Sequence, residues 1–283
     1  MGDFGITPFM MPASQTMNIV FASDEKFAPF LATAIVSILL NSSAEDSFSF
    51  HILDGGLSES SKSKINALQR YKPFTIKYID FDFELVKDCP LTLHYTSPVY
   101  FRFFMAELVP EADRLLYLDA DIIVTGSLFE LYNTEFGGKM LGAVQTGEYL
   151  LAAGDLLIPI FSSGIMIIDA AAWRKSKISD ALMLRTAEIR EHIAFVDQDV
   201  FNSLFMDNYV HLDLKWNMAH DRVTDENEAE VRIIHFTAKK FSSVRSLFLF
   251  LYLSYTGFGS FATNSPEEEH CASLYKDMAS SQA

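Results

Sequence analysis

Residues 114–124 read RLLYLDADIIV, a short apolar run that ends in two carboxylates, Asp119 and Asp121, before a second apolar run begins. A buried strand accounts for the first run, which is aliphatic, aromatic and free of charge after Arg114. Two ionised carboxylates beside a core strand are costly unless a cation lies between them. The pattern therefore predicts a metal site at the carboxyl end of a strand, where open α/β sheets bind ligands. A solvated turn is the alternative.

Two other Asp-x-Asp triplets, at 80–82 and 197–199, show that the motif alone has little weight in an acid-rich chain. Only the triplet at 119–121 has buried-strand patterns on both sides. The flanking strand patterns, rather than the Asp-x-Asp motif itself, favour a metal site at residues 119–121.

Around this stretch, strand and helix patterns alternate. The apolar residues of 27–39 recur at i, i+3, i+4 and i+7, which predicts a helix with one buried face, and Ser58 is placed to cap the next helix. Strands are expected at 18–22, 48–53, 75–79, 114–119, 140–144, 164–168 and 232–235, and helices at 27–39, 58–71, 98–108, 178–191 and 198–205. This order predicts an α/β fold with a mixed, mostly parallel sheet flanked by helices.

Length and composition limit the number of domains, the kinds of partner and the cellular setting that can be expected. The chain has 283 residues, of which 49% are hydrophobic, enough for a large core in a single domain. A net charge of −15 argues against nucleic-acid partners and against purely electrostatic docking to an anionic membrane. Two cysteines form no disulfide framework and no zinc-type spacing, so a reducing, cytoplasmic setting is expected.

We expect a loose extension at 1–16 without signal-peptide character, a main domain at 17–265 and a polar tail at 266–283. The longest apolar run, 247–253, is too short to span a bilayer. It is expected to pack on the core, and the alternative is a surface for an acceptor or for peripheral membrane contact.

Five segments occur in a characteristic order: 17–24, 115–124, 161–164, 197–199 and 234–236. Together they resemble glycosyltransferase family eight, the retaining transferases typified by bacterial lipopolysaccharide galactosyl- and glucosyltransferases and by glycogenin. The resemblance covers roughly residues 17–241. It implies a GT-A (Rossmann-like) fold, a UDP-galactose or UDP-glucose donor, a glycan acceptor and a Mn²⁺ or Mg²⁺ ion.

The resemblance assigns the metal to Asp119, Asp121 and His235. Hard carboxylate oxygens suit either ion, and Mn²⁺ also accepts an imidazole. Without the resemblance, His235 would be interpreted as an ordinary core or surface histidine.

The nucleotide is assigned to Ala22, Asp24, Phe27 and Ala120. Asp24 would accept a hydrogen bond from uracil, and Phe27 would lie against the base. The alternative for Phe27 is the first core residue of its helix.

The donor sugar is assigned to Arg102, Asp119 and Asp197, with Asp197 and Gln198 as the catalytic pair. The Gln198 amide would lie near the anomeric carbon and stabilise positive charge there, while the acceptor attacks the face that the leaving group vacates. A solvated helix position is the alternative for Arg102. An N-cap role is the alternative for Asp197, although capping and sugar binding can coexist.

The chain departs from the family pattern twice. Ser162 stands where the family commonly has Asn, and Ala238 replaces a glycine in a segment that also lacks the usual Lys-Pro-Trp. Lys239 or Lys240 could still reach the diphosphate as a point charge.

The leading hypothesis is a retaining hexosyltransferase. The altered segment after His235 motivates the alternative, a non-catalytic relative that binds a UDP-sugar or a glycan. A nucleotidyltransferase is disfavoured, because the first strand-to-helix turn lacks a glycine-rich basic loop.

Overall fold

The computed structural model describes residues 15–91, 96–150, 157–206, 208–236 and 256. The strands are β1 (Thr16–Ser23), β2 (Ser47–Asp54), β3 (Thr75–Asp80), β4 (Arg114–Leu118), β5 (Ile122–Val124), β6 (Leu141–Leu150), β7 (Leu157–Asp169), β8 (Val210–Leu212), β9 (Met218–Ala219) and β10 (Ile233–His235). The α-helices are α1 (Ala28–Leu40), α2 (Glu59–Asn66), α3 (Met105–Leu108), α4 (Phe129–Tyr132), α5 (Ala170–Lys175), α6 (Ile178–Glu188) and α7 (Val196–Phe205).

Seven strands form the main sheet in the order β3-β2-β1-β4-β7-β6-β8. All neighbouring pairs are parallel except the two that involve β7, which runs against β4 and β6. The interior strands are buried on both faces, as the uncharged runs around Ile19 and Leu116 predicted. The mixed, mostly parallel α/β sheet flanked by helices is confirmed.

The Asp-x-Asp turn joins this sheet to a smaller one. β4 ends at Leu118, and β5 leaves the main sheet to form a second sheet in the order β5-β10-β9. The N–H of Asp119 donates to the carbonyl of Gly164 on β7 (2.8 Å), and the N–H of Phe236 donates to the carbonyl of Asp121 (3.0 Å). The turn is therefore held between both sheets by backbone hydrogen bonds.

The single buried face predicted for α1 is wrong, because the helix is buried on nearly every side. One side packs on the main sheet. On another, Ser37 Oγ accepts a hydrogen bond from the N–H of Val124 (2.9 Å), and Asn41 Nδ2 donates to the Val124 carbonyl (3.0 Å). A helix between two layers needs apolar or small residues all round, which the periodicity of one face does not reveal.

The helix predicted from Pro98 begins at the expected place but has a different geometry. Ser97–Phe104 is a 3₁₀-helix, and only α3 is α-helical. Side chains at i and i+3 eclipse in a 3₁₀-helix, so Val99 and Arg102 lie on one side, and both line the same cavity.

The other elements largely follow the sequence patterns. Ser58 caps α2 by accepting from the N–H of Ser61 (3.2 Å). β6 and β7 are longer than predicted, and β6 is irregular around Gln145, where bulges obscure the period of two. The extension before residue 15, the run at 247–253 and the tail at 266–283 lie outside the described residues, so the domain boundaries stay predictions. No helix in the described part of the chain is both long and apolar enough to cross a bilayer.

Candidate active site

A cavity of about 670 Å³ opens at the carboxyl ends of β1 and β4. This is the edge at which open α/β sheets bind their ligands. Ten predicted site residues line it: Ala22, Asp24, Phe27, Arg102, Asp119, Ala120, Asp121, Asp197, Gln198 and His235. Lys239 and Lys240 lie outside the described residues.

Three side chains that could ligate a metal ion, Asp119, Asp121 and His235, form a carboxylate–histidine cluster in the cavity. Their ligand atoms all lie within 4.8 Å of one another. His235 Nε2 is 3.4 Å from Asp121 Oδ1 and 3.6 Å from Asp119 Oδ2. Metal–ligand bonds of about 2.1 Å separate neighbouring ligand atoms by about 3 Å and opposite ones by about 4 Å. Asp119, Asp121 and His235 are therefore spaced as ligands of one divalent metal ion.

Asn217 orients the histidine of this cluster. His235 Nδ1 lies 2.9 Å from Asn217 Oδ1, so the Nδ1–H donates and Nε2 faces the carboxylates. The motif did not identify Asn217. The available indication in the sequence was a polar residue placed between two large apolar ones, Trp216 and Met218, which are both buried in the structure.

The carboxylates also change the acidity of His235. Burial acts against protonation of the ring, but the hydrogen bond and charge of Asp121, helped by Asp119, raise its pKa above the usual value. A metal ion would replace this proton, because an imidazole ligates in its neutral form.

Gly164 lets β7 approach the cluster closely. A Cβ at this position would lie 2.6 Å from Asp119 Oδ2 and would also overlap the His235 ring. Only glycine fits there. Ser162, two residues before Gly164, is buried, and its hydroxyl accepts a hydrogen bond from the N–H of Gly164 (3.2 Å). The serine that stands in place of the family's usual Asn therefore forms a hydrogen bond within its own strand.

Arg102 is buried, so the solvated-arginine alternative is wrong. Its Nη2 lies 3.0 Å from Asp119 Oδ1, and its Nη1 donates to the carbonyl of Ser163 (3.0 Å). The guanidinium stacks on the ring of Tyr117 at 4.5 Å, and the Tyr117 hydroxyl donates to Asp119 Oδ1 (3.0 Å). These contacts fix the plane of the guanidinium and connect it to a carboxylate of the carboxylate–histidine cluster.

Asp197 is buried beside Arg102. Its Oδ2 lies 3.4 Å from Arg102 Nη1, but the pair lacks hydrogen-bond geometry, and Oδ2 has no hydrogen-bond partner. Burial raises the pKa of Asp197 to about 6, against the opposing effect of the Arg102 cation. An acceptor oxygen without a donor in a cavity wall is suited to a ligand hydroxyl.

The N-cap alternative for Asp197 is wrong. Helix α7 begins at Val196, two residues earlier than predicted, so Asp197 lies within the first turn and caps nothing. Asp199 organises this end instead, because its Oδ2 accepts from the N–H groups of Ala194 (2.7 Å) and Phe195 (2.8 Å).

Another part of the cavity wall is built around Asp24, which follows β1. Its Oδ1 accepts from the N–H of Phe27 (3.1 Å), and its Oδ2 accepts from the Thr96 hydroxyl (3.3 Å). The side chain of Phe27 is 36% exposed, so the core alternative for this residue is wrong. Phe195, 46% exposed, is a further aromatic lining residue, and the sequence patterns did not identify it.

Known proteins share the fold and the sequence family of this chain. The fold matches the galactosyltransferase LgtC, crystallised with donor and acceptor sugar analogs, with a TM-score of 0.72 and 24% identity over 90% of this chain and all of LgtC. The architecture is thus that of a GT-A glycosyltransferase. Residues 18–241 match glycosyl transferase family 8, and the chain belongs to that family.

Two bacterial relatives illustrate the family. The glycosyltransferase GlyF of Streptococcus pneumoniae is 32% identical over 71% of this chain, although the alignment spans only 48% of GlyF. The lipopolysaccharide 1,3-galactosyltransferase of Salmonella typhimurium is 29% identical over 77% of this chain and 70% of its own length. Membership in this family supports an enzyme that transfers a glycosyl group.

Proposed function

We propose that the protein is a metal-dependent, retaining hexosyltransferase that moves galactose or glucose from a UDP-sugar to a hydroxyl of a glycan acceptor. The observation that carries the proposal is the convergence of Asp119, Asp121 and His235 in the same cavity as the Arg102–Asp197 pair. Relatives named for lipopolysaccharide galactosyl and glucosyl transfer support a hexose donor.

Asp119, Asp121 and His235 would hold the ion. When bound, Mn²⁺ or Mg²⁺ supplies a Lewis acid for the charge that develops on the departing diphosphate. Asn217 keeps the Nε2 of His235 directed at that position.

Asp24 and Phe27 would bind the base. The Asp24 carboxylate can accept from the uracil N–H, and the exposed face of Phe27 offers a surface for the ring. Ala22 and Ala120 add little bulk to the cavity wall.

Arg102 and Asp197 would bind the donor hexose. The Oδ2 of Asp197, which has no hydrogen-bond partner, would accept from a sugar hydroxyl, and the charge of Arg102 favours the ionised form of this carboxyl by lowering its pKa.

Gln198 would act at the reacting carbon. It follows Asp197 on α7 and lines the cavity, so its amide oxygen is a candidate to stabilise the oxocarbenium-like transition state. A neutral amide is a poor nucleophile, which favours attack by the acceptor on the vacated face and retention of configuration.

A donor screen tests the proposal. UDP-galactose, UDP-glucose and their GDP counterparts are incubated with the protein, with and without Mn²⁺, and nucleoside diphosphate release is measured. We expect Mn²⁺-dependent release from a UDP-hexose that Asp121→Ala abolishes. The exposed Asp88, outside the cavity, provides the control Asp88→Ala.

Each other outcome has a distinct meaning. Binding of a UDP-hexose without turnover would favour the non-catalytic relative. Equal release from GDP- and UDP-sugars would contradict the role of Asp24. Release that does not depend on metal would contradict the role of the carboxylate–histidine cluster.

A further inference from the structure

Arg222 lines the same cavity as the carboxylate–histidine cluster. It ends the 3₁₀ segment His220–Arg222, directly after β9. β9 runs parallel to β10, with Ala219 opposite His235. The chain therefore leaves β9 beside the histidine and reaches Arg222 three residues later.

Hydrogen bonds fix the backbone at Arg222, whereas its side chain is exposed to solvent. Asn227 Nδ2 donates to the Arg222 carbonyl (2.9 Å), and Asn227 Oδ1 accepts from the N–H of Thr224 (2.8 Å). The Arg222 side chain is exposed, and within the described part of the chain its guanidinium makes no hydrogen bond or ion pair. A fixed backbone with an unpaired cation at a cavity rim is suited to an incoming anion.

The cavity lining carries mostly negative charge, which makes an unpaired cation important for binding an anion. Four carboxylates line it, Asp24, Asp119, Asp121 and Asp197. The other lining arginine, Arg102, is already shared between Asp119 and Asp197. With a net charge of −15, the chain as a whole repels anions. An anionic substrate therefore gains most from the one arginine of the described lining that no carboxylate neutralises.

We propose that Arg222 binds the diphosphate of the donor nucleotide, an inference that rests on the proposed function. The planar guanidinium can pair with two phosphate oxygens at once, and at the cavity rim it can hold them without displacing the ligands of the ion.

Calorimetric titration tests this role. UDP and uridine are each titrated in Mn²⁺ into the full chain, Arg222→Gln and Arg222→Lys. Lys175→Gln is the matched control, because Lys175 is an exposed cation at the end of α5, outside the cavity. Arg222→Gln is expected to weaken UDP binding about ten- to a hundredfold, the scale of a charge-assisted hydrogen bond, and to leave uridine binding unchanged. Arg222→Lys should recover part of the loss, and Lys175→Gln should match the wild type.

The comparison of the two ligands separates binding from folding. An equal loss for UDP and uridine would overturn the inference and assign Arg222 a structural role. UDP affinity that is unchanged in Arg222→Gln would overturn it as well, with the proposed function intact. A wild-type chain that binds neither ligand would overturn the proposed function and this inference together.

Discussion

Asn217 holds the imidazole of His235 from the side opposite the carboxylates. The Oδ1 of Asn217 lies 2.9 Å from Nδ1, and both side chains are buried. This hydrogen bond fixes the tautomer and the ring plane, so that Nε2 is presented to Asp119 and Asp121. The candidate ion site is thus shaped by a residue that is not one of its candidate ligands.

Replacing Asn217 should therefore weaken metal binding. Asn217→Leu keeps the number and branching of the side-chain heavy atoms but removes the acceptor, and we expect a ten- to hundredfold loss in Mn²⁺ affinity, the usual scale for such outer partners. Calorimetry with Mn²⁺ measures it, and the exposed Asn208→Ala is the control. Unchanged affinity would mean that the pairing of β10 alone orients the ring.

Gly164→Ala should disable the cluster. The added methyl would lie 2.6 Å from Asp119 Oδ2, so the carboxylate or the strand must shift. We expect loss of Mn²⁺ binding and a decrease of about 1–3 kcal/mol in the free energy of unfolding. Gly147→Ala, whose Cβ would meet only Ile160 at 3.3 Å, is the milder control. Metal binding retained in Gly164→Ala would show that the cluster adapts.

The raised pKa of Asp197 predicts that its contribution to the free energy of unfolding of the metal-free protein depends on pH. The folded state keeps this proton to about pH 6, whereas an unfolded Asp releases it near pH 3.9, so the folded state binds more protons between about pH 4 and 6. The contribution of Asp197 is therefore present below about pH 4 and is lost as the pH rises through 6. The change amounts to about 3 kcal/mol.

Asp197→Asn removes this titration. The free energy of unfolding of wild type minus variant, measured by urea denaturation in EDTA, should fall as the pH rises from 4 to 6. A difference that stays constant, or rises, over that range would contradict the buried, proton-binding state of Asp197.

Gln198→Ala should lower turnover far more than donor affinity. Positive charge at the anomeric carbon develops mainly in the transition state, so the loss should appear in kcat, at about ten- to a thousandfold. Asp197→Asn should also raise KM, since Asp197 would bind the ground-state sugar. Steady-state kinetics distinguishes the two, and NMR of the product checks that configuration is retained. An inverted product would remove the role of Gln198 and make Asp197 a candidate general base.

Much of the local structure could be predicted because it depends on neighbours in the chain. The cap at Ser58, the start of the helical segment near Pro98 and the strand before Asp119 each follow from residues within one turn or one strand. All ten predicted site residues that the structure describes also line the cavity. The nucleotide, sugar and catalytic roles of those residues stay predictions.

The sequence by itself determined the alternation of strands and helices and the residue types available to the candidate site, since residue type and periodicity are properties of short segments. Only the tertiary structure decided the reversed direction of β7, the burial of α1 on both sides and the approach of Gly164 to the His235 ring. The tertiary structure also decided the hydrogen bond between Asn217 and His235, because it depends on the pairing of β9 with β10, which are separated in sequence by a loop. Distances between such segments depend on how layers pack, and packing is a property of the whole chain.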